Sequence, residues 1–493
     1  MGKSLLFLVA GLTVITGYMQ VQNQERMKTL PEVTSAYYEE QQARNIAKSL
    51  VDNAIENMKV DNDWNGDLDI TEVMNVGGML TKETNTVKSI VKTLLGGGQK
   101  PAGTQQEVLD EDEIEAGLLA NGLSGTLKSF ISSTPNKPAN NSVGTWDEYK
   151  VLLVSTSTYD NIEVTTEVLM QRDSFSKYSY MTDSELSSSG NDIWFMGADN
   201  IYGPIHTNGT FKMSGDPSFY GLITSPNAWE AHTTNGANPN FYGGENFNAP
   251  IKDSPNSYEL NKLKTAAATG GITFDGDIEV DFYEAADEGF ADITKEITTT
   301  YSCGTWWNPS RMCTATSWVT ETLNLADING ILSAEGEIKV KGVVKGAITL
   351  HSEDRIQIMG DITYATDPSA DSSSTDMLGL VSEGDVIVDQ NAHQSSGSTD
   401  LTIQASIMAL DTSFEVENYS SGGPKGTLNL LGGIVQKNRG AVGTFNSSGI
   451  VSGYAKNYQY DGRLKGTIPP SFPRESVFSI VYWKDEVVNI SGN

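Results

Sequence analysis

Positions 4–19 (SLLFLVAGLTVITGYM) carry no charge and follow Lys3. As a helix they rise ~24 Å, a little short of the ~30 Å hydrocarbon core of a bilayer. Val21 and a snorkelling Lys3 make up the difference, and the cation ahead of the stretch favours keeping that end in the cytoplasm. Beyond Pro31 the pattern changes. Ala43, Ile46, Ala47, Leu50, Val51, Ala54, Ile55 and Met58 return at three- and four-residue steps, which predicts an amphipathic helix over 32–59. Its apolar face is expected to lie on a folded domain, with Pro31 kinking or breaking the chain between the two helical stretches. Two linker-like stretches within 96–145 flank a short helical piece that starts in the acidic run 110–115. Residues 149–172 alternate as two strands that turn near Asp160 and Asn161, and 191–225 read as strand, turn, strand, turn. The Asn-, Gly- and Pro-rich residues 226–272 read as an excursion over the surface.

A different rhythm begins near Asn329. The pairs Ile338/Val340, Ile348/Leu350 and Ile356/Ile358 recur at roughly eight- to ten-residue spacing among Gly336, Gly342, Gly346 and Gly360, and 378–389, 401–411 and 426–436 continue the pattern. Short strands at such spacing suit stacked coils, each burying its inward residues on the next; a sandwich is the alternative. Pro469 and Pro470 are expected to end the stack, and 476–490 to form one more strand pair covering an open edge. The fold class expected is α+β, mainly β: a long N-terminal helix, then a β-sheet module, then a parallel β-solenoid. The domains divide as a helical stem at 1–60, a helix/sheet module at 61–190, a Gly/Asn-rich β region at 191–327 and the solenoid at 328–493.

Composition narrows the partners. A chain of 493 residues with 38% hydrophobic residues is long enough for two or three packed domains. Its 33 basic and 63 acidic residues leave a net charge of −30, a field that repels nucleic-acid phosphates. No nucleic-acid partner is expected. The two cysteines, Cys303 and Cys313, enclose nine residues that include two tryptophans. In an exported protein such a pair is expected to oxidise, the closed loop contributing ~2–3 kcal/mol in the chain-entropy model, and a reduced pair is the alternative.

One loop has the spacing of a metal site. In DNDWNGDLDITE (61–72), Asp61, Asp63, Asn65, Asp67, Asp69 and Glu72 fall at loop positions 1, 3, 5, 7, 9 and 12, with Gly66 at the sharp turn. Calcium takes six to eight oxygens, which alternate positions converge to supply. Ca2+ is therefore the expected cofactor, and a polar turn leading into a strand is the alternative. For catalysis the sequence offers little. Asp354, Arg355, Asp385 and Asp389 do not cluster by spacing, and the histidines at 206, 232, 351 and 393 are scattered. His206 reads as a turn residue. No hydrolase elbow, zinc helix or phosphate loop is present, so no enzyme is expected.

The apolar stem, the small-residue-rich helix QARNIAKSLVDNAIENM (42–58) and the large body after it resemble the pilin-like proteins of type IV pilus and type II secretion systems, above all the larger minor-pilin type. GPIHTNG, SGDPSFYG and GYAKNYQYDGRLKGTIPPSFP (453–473) are similar to segments that recur in large bacterial surface proteins with pilin-like N-termini. The resemblance implies a structural subunit of an extracellular type IV pilus-like filament, held in the inner membrane before assembly. Its partners would be copies of itself or other pilin-like subunits. Leu5, Leu6, Phe7, Leu8, Val9, Leu12, Val14 and Ile15 would form the assembly stem. The chain departs from that family in one respect: Leu5 and Leu8 stand where an early Glu is sought, and the first Glu is Glu25. A membrane-anchored adhesin that binds a surface glycan or another cell is the second reading.

Overall fold

The computed structural model describes residues 34–45, 47–48, 51–52, 55, 81–82, 112–115, 123–131, 149–159, 162–197, 199–304, 306–307, 310–446 and 449–489. The chain divides into two compact units, 1–173 with 476–493, and 174–475.

In the first unit the helical positions between 34 and 55 present one apolar stripe. Ala43, Ala47, Val51 and Ile55 recur every fourth residue and are all buried, and Ala43 and Ala47 pack on Ile162 and Val164. The helix therefore lies on a sheet. That sheet has six strands, in the order Thr81–Lys82, Asp112–Glu115, Leu123–Ile131, Lys150–Tyr159, Ile162–Ser174 and Arg474–Asn489. The two strands expected over 149–172 are Lys150–Tyr159 and Ile162–Ser174, antiparallel with Tyr159 opposite Ile162. Arg44 joins helix to sheet through its ion pair with Asp485, which also accepts from Thr166 at 2.9 Å. Residues 112–115, expected at a helix start, are a strand.

The second unit is built on parallel ladders. In the longest, Ile272, Leu332, Leu350, Leu380, Ile407, Ile434, Tyr180, Ile205 and Ile223 stand in register on successive strands. A second ladder runs Ile278, Ile338, Ile356, Val386, Phe414, and a third Ile362, Ile403, Leu430, Tyr458. Strand Ile356–Tyr364 alternates buried and part-buried along its whole length, the signature of one face on a core. By contrast, Ile331–Ala334 and Met377–Ser382 are buried at every position. Their outer face is covered by helix Ser257–Gly270, whose Leu263 and Ala267 pack with Ile331, Val381, Met408 and Phe472. Burial on both faces is what parallel strands require.

These findings overturn the expected fold class of a long N-terminal helix, β-sheet module and parallel β-solenoid. The described residues are mainly strand, and no helix among them is long and apolar enough to cross a membrane. The helical positions near the N-terminus belong to the amphipathic stripe; the apolar stretch 4–19 lies outside the described residues. The strands of 174–475 close on themselves as a barrel rather than winding in chain order. Two features force this. Strand Pro424–Asn438 pairs with Tyr180–Ser184, so the late strands stack on the earliest ones. Antiparallel pairs also interrupt the parallel order, namely Ile278–Ala285 with Glu288–Ser302, the latter with Met312–Asn324, and Gly443–Asn446 with Gly449–Gln459.

Three local expectations also change. Residues 257–270, inside the expected surface excursion, are helical and capped by Asn256, whose side chain accepts from Glu259 N at 3.1 Å. Pro470 does not end the ladder: its carbonyl accepts from Thr349 Oγ1 at 2.6 Å, so the segment runs over the outer face of the strands. The last stretch is one strand, Arg474–Asn489, seated beside Ile162–Ser174.

Candidate functional site

The expected calcium ligands Asp61, Asp63, Asn65, Asp67, Asp69 and Glu72 lie outside the described residues, as do the stem residues Leu5, Leu6, Phe7, Leu8, Val9, Leu12, Val14 and Ile15. Cys303 and Cys313 form a disulfide with Cα atoms 5.7 Å apart. It closes the end of the hairpin Glu288–Ser302/Met312–Asn324, whose outer residues 298–302 and 314–322 are exposed on both faces. A two-stranded ribbon is marginal in water by itself, so the staple has a clear physical role there. Beyond it Trp306 and Trp307 are each 91% exposed.

The carboxylates considered for catalysis do not converge on one another. Arg355 pairs with Glu337 at 2.6 Å, Asp385 accepts from Thr412, and Asp389 caps the backbone N–H of Asn391 at 2.7 Å. His206 is not in a turn. It sits fully buried in strand Ile205–Thr207 between Thr224 Oγ1, at 2.8 Å, and Asn208 Oδ1, at 2.9 Å. Burial pushes its pKa down. His351 joins two neighbouring strands. The Ser333 hydroxyl lies 2.8 Å from its Nδ1 and the Glu383 carboxylate 3.2 Å from its Nε2. That hydrogen bond, with Lys264 at 2.9 Å and against the effect of burial, holds the Glu383 carboxyl down at about 2. Ser333 and His351 are buried, and this chain of contacts ties strands together.

A cleft opens elsewhere in the same unit. Its volume is about 530 Å3, and its walls are 199–202 and 456–460. It exists because one column of strands is interrupted. Strand Asn200–Ile201 pairs with Ser218–Phe219, and Gly449–Gln459 pairs with Pro424–Asn438, but the two walls do not pair with each other.

Each wall has its own cause. The triplets Ile201-Tyr202-Gly203, Phe219-Tyr220-Gly221 and Phe241-Tyr242-Gly243 repeat along the first. In parallel register, alternate residues share a face. Ile201 and Phe219 are thus buried, with Phe241 packed against the same core. The tyrosines stack outside: Tyr202 on Tyr220 at 4.7 Å and 7°, and Tyr220 on Tyr242 at 5.1 Å and 21°. Glycine follows because the backbones approach closely; a Cβ on Gly221 would lie 1.7 Å from Gly203 O. Gly203 itself has φ +87°, and a Cβ there would meet the Tyr460 ring at 2.4 Å.

On the second wall Tyr454, Lys456, Tyr458 and Tyr460 alternate on one face. Tyr454 is fully buried and Tyr458 packs on the same core, so Lys456 is carried inward between them. Burial pushes the Lys456 pKa down and the Tyr458 and Tyr460 phenols up. Lys456 makes no ion pair or hydrogen bond among the described residues. Tyr460 Oη is buried and likewise unpartnered among them. Asp199 stands on the facing wall, its carboxylate accepting from Met196 N at 2.8 Å. No grouping of His, Cys, Asp and Glu able to hold a metal ion occurs among the described residues. The expectations made from the sequence missed this cleft; the repeated Tyr-Gly triplet and the lysine in a tyrosine register were its signals.

Three comparisons bear on the chain. A family model described as a domain of unknown function (DUF4900) matches residues 153–227. No curated protein matches. Among solved structures, the crystal structure of the competence-associated pilin ComZ from Thermus thermophilus aligns over 92% of this chain and 98% of its own, at 11% identity and a TM-score of 0.31.

Proposed function

We propose that this chain is a structural, non-catalytic subunit of an extracellular type IV pilus-like filament. It would be inserted in the membrane through 4–19 before assembly and partnered by copies of itself or other pilin-like subunits. The observation that carries the reading is the buried stripe Ala43, Ala47, Val51 and Ile55, of which Ala43 and Ala47 seat on Ile162 and Val164. The helix gives that face to its own domain, while the uncharged stretch upstream must be buried in lipid or among neighbouring stems. Val9→Asp is therefore expected to abolish filaments in sheared surface material imaged by electron microscopy; intact filaments carrying it would refute the assembly role. The second reading, an anchored adhesin, is favoured by Trp306 and Trp307 at the stapled hairpin end. Its mark would be wild-type chain that stays in the membrane fraction and forms no filament.

The acidic loop 61–72 adds a calcium site to this proposal. Chelation is expected to lower the melting temperature, and Asp61→Ala with Glu72→Ala to remove that sensitivity. Melting that is the same with and without chelator would discard the site.

A further inference from the structure

We infer that the cleft between 199–202 and 456–460 binds a neutral saccharide, with one sugar ring seated on Tyr202. The strands order as Asn240–Phe241, Ser218–Phe219 and Asn200–Ile201, with the cleft beyond the last. The column Tyr242, Tyr220, Tyr202 therefore ends at the cleft. One face of Tyr202 is taken by Tyr220, and the opposite face has no ring partner among the described residues. The negative face of a tyrosine ring favours a partner with a partly positive surface. The C–H face of a sugar ring is such a partner, and it would continue the column by one layer.

The polar lining matches the same ligand. A buried donor without a partner costs free energy and calls for an explanation. Here Tyr460 Oη is such a donor; Lys456, part-buried on the same wall, has no hydrogen bond or ion pair among the described residues, and Asp199 faces both as an acceptor. Asn457 and Gln459 offer both roles. A sugar hydroxyl donates and accepts at once, so it satisfies a wall of each kind. Charge argues for a neutral sugar: Asp199 and Lys456 cancel locally, and a chain of net charge −30 repels polyanions. The volume of about 530 Å3 lies in the ordinary range for a small-ligand site. None of this depends on filament assembly, so the two proposals fail independently.

The test uses the full chain in a detergent without a sugar headgroup. Cellotriose, chitotriose and maltotriose are titrated by calorimetry and saturation-transfer NMR, with trigalacturonic acid as the anionic counterpart. At least one neutral trisaccharide is expected to bind, and the anionic one to bind more weakly. Tyr202→Ala and Lys456→Met should each weaken binding by about tenfold or more, while Trp306→Ala leaves it unchanged. Thermal melting of each variant separates lost binding from lost folding. The site is refuted if no neutral trisaccharide binds, if the anionic one binds more tightly, or if binding survives in folded Tyr202→Ala and Lys456→Met. Loss of binding in Trp306→Ala would move the sugar to the hairpin end and refute the cleft.

Discussion

The late strands of the second unit meet the earliest ones along two columns, and the two junctions are made differently. On one, Ile434 pairs with Tyr180 and the ladder continues unbroken. On the other, Gly449–Gln459 and Asn200–Ile201 face each other across the cleft without pairing. The closed junction is locked by a buried ion pair. Arg439 Nη1 lies 2.9 Å from Glu185 Oε2, and the two side chains are 3% and 2% exposed. The guanidinium also donates to the carbonyls of Ile193, at 3.0 Å, and Trp194, at 3.4 Å, and stacks 3.7 Å from the Phe195 ring centre. The Glu185 carboxylate accepts from Thr182 as well. Arg439 and Glu185 are paired on that side, whereas on the open side Lys456 has no hydrogen bond or ion pair among the described residues. The first junction is filled by its own side chains, and the second leaves the cleft open.

The largest effect is expected where the closed junction is broken on one side only. Arg439→Met leaves Glu185 buried without its counter-ion, which should cost ~3–5 kcal/mol in urea unfolding. Adding Glu185→Leu removes the stranded charge and should recover most of that loss. Equal stability of wild type and Arg439→Met would show that the pair does not lock the junction. A double variant no better than the single one would show that the hydrogen bonds to 193 and 194, and not the ion pair, do the locking.

How far this contrast could be read beforehand depends on the range of the interaction. The strands of the C-terminal half were legible because alternation is local: Ile338 and Val340, Ile348 and Leu350, and Ile356 and Ile358 are all buried. Their closure was not, because Arg439 and Glu185 are 254 residues apart and nothing in either neighbourhood specifies the other. Helix Ser257–Gly270 did carry a signal, since Asn256 and Glu259 have the spacing of a capped helix start. The Asn-, Gly- and Pro-rich stretch around it masked that signal. The cleft sits between these cases. Its Tyr-Gly triplets repeat at 202, 220 and 242, but uneven spacing hides them from a fixed-period search.

The smallest expected effect tests the open junction and has the opposite sign. Lys456 carries its ammonium into a part-buried place, and burial lowers its pKa in the folded chain. The unfolded chain, with an ordinary lysine near ~10.4, then holds more protons between the folded and the unfolded pKa. Stability should rise with pH across that window, because the folded lysine sheds the proton that burial penalises. Below the folded pKa both states are protonated and the penalty is present in full. Lys456→Met removes the penalty, so it should raise the melting temperature slightly at neutral pH and flatten the rise toward pH ~10. A lower melting temperature would mean that the ammonium is satisfied in the free protein, and that the open junction holds no unmet charge for a ligand to answer.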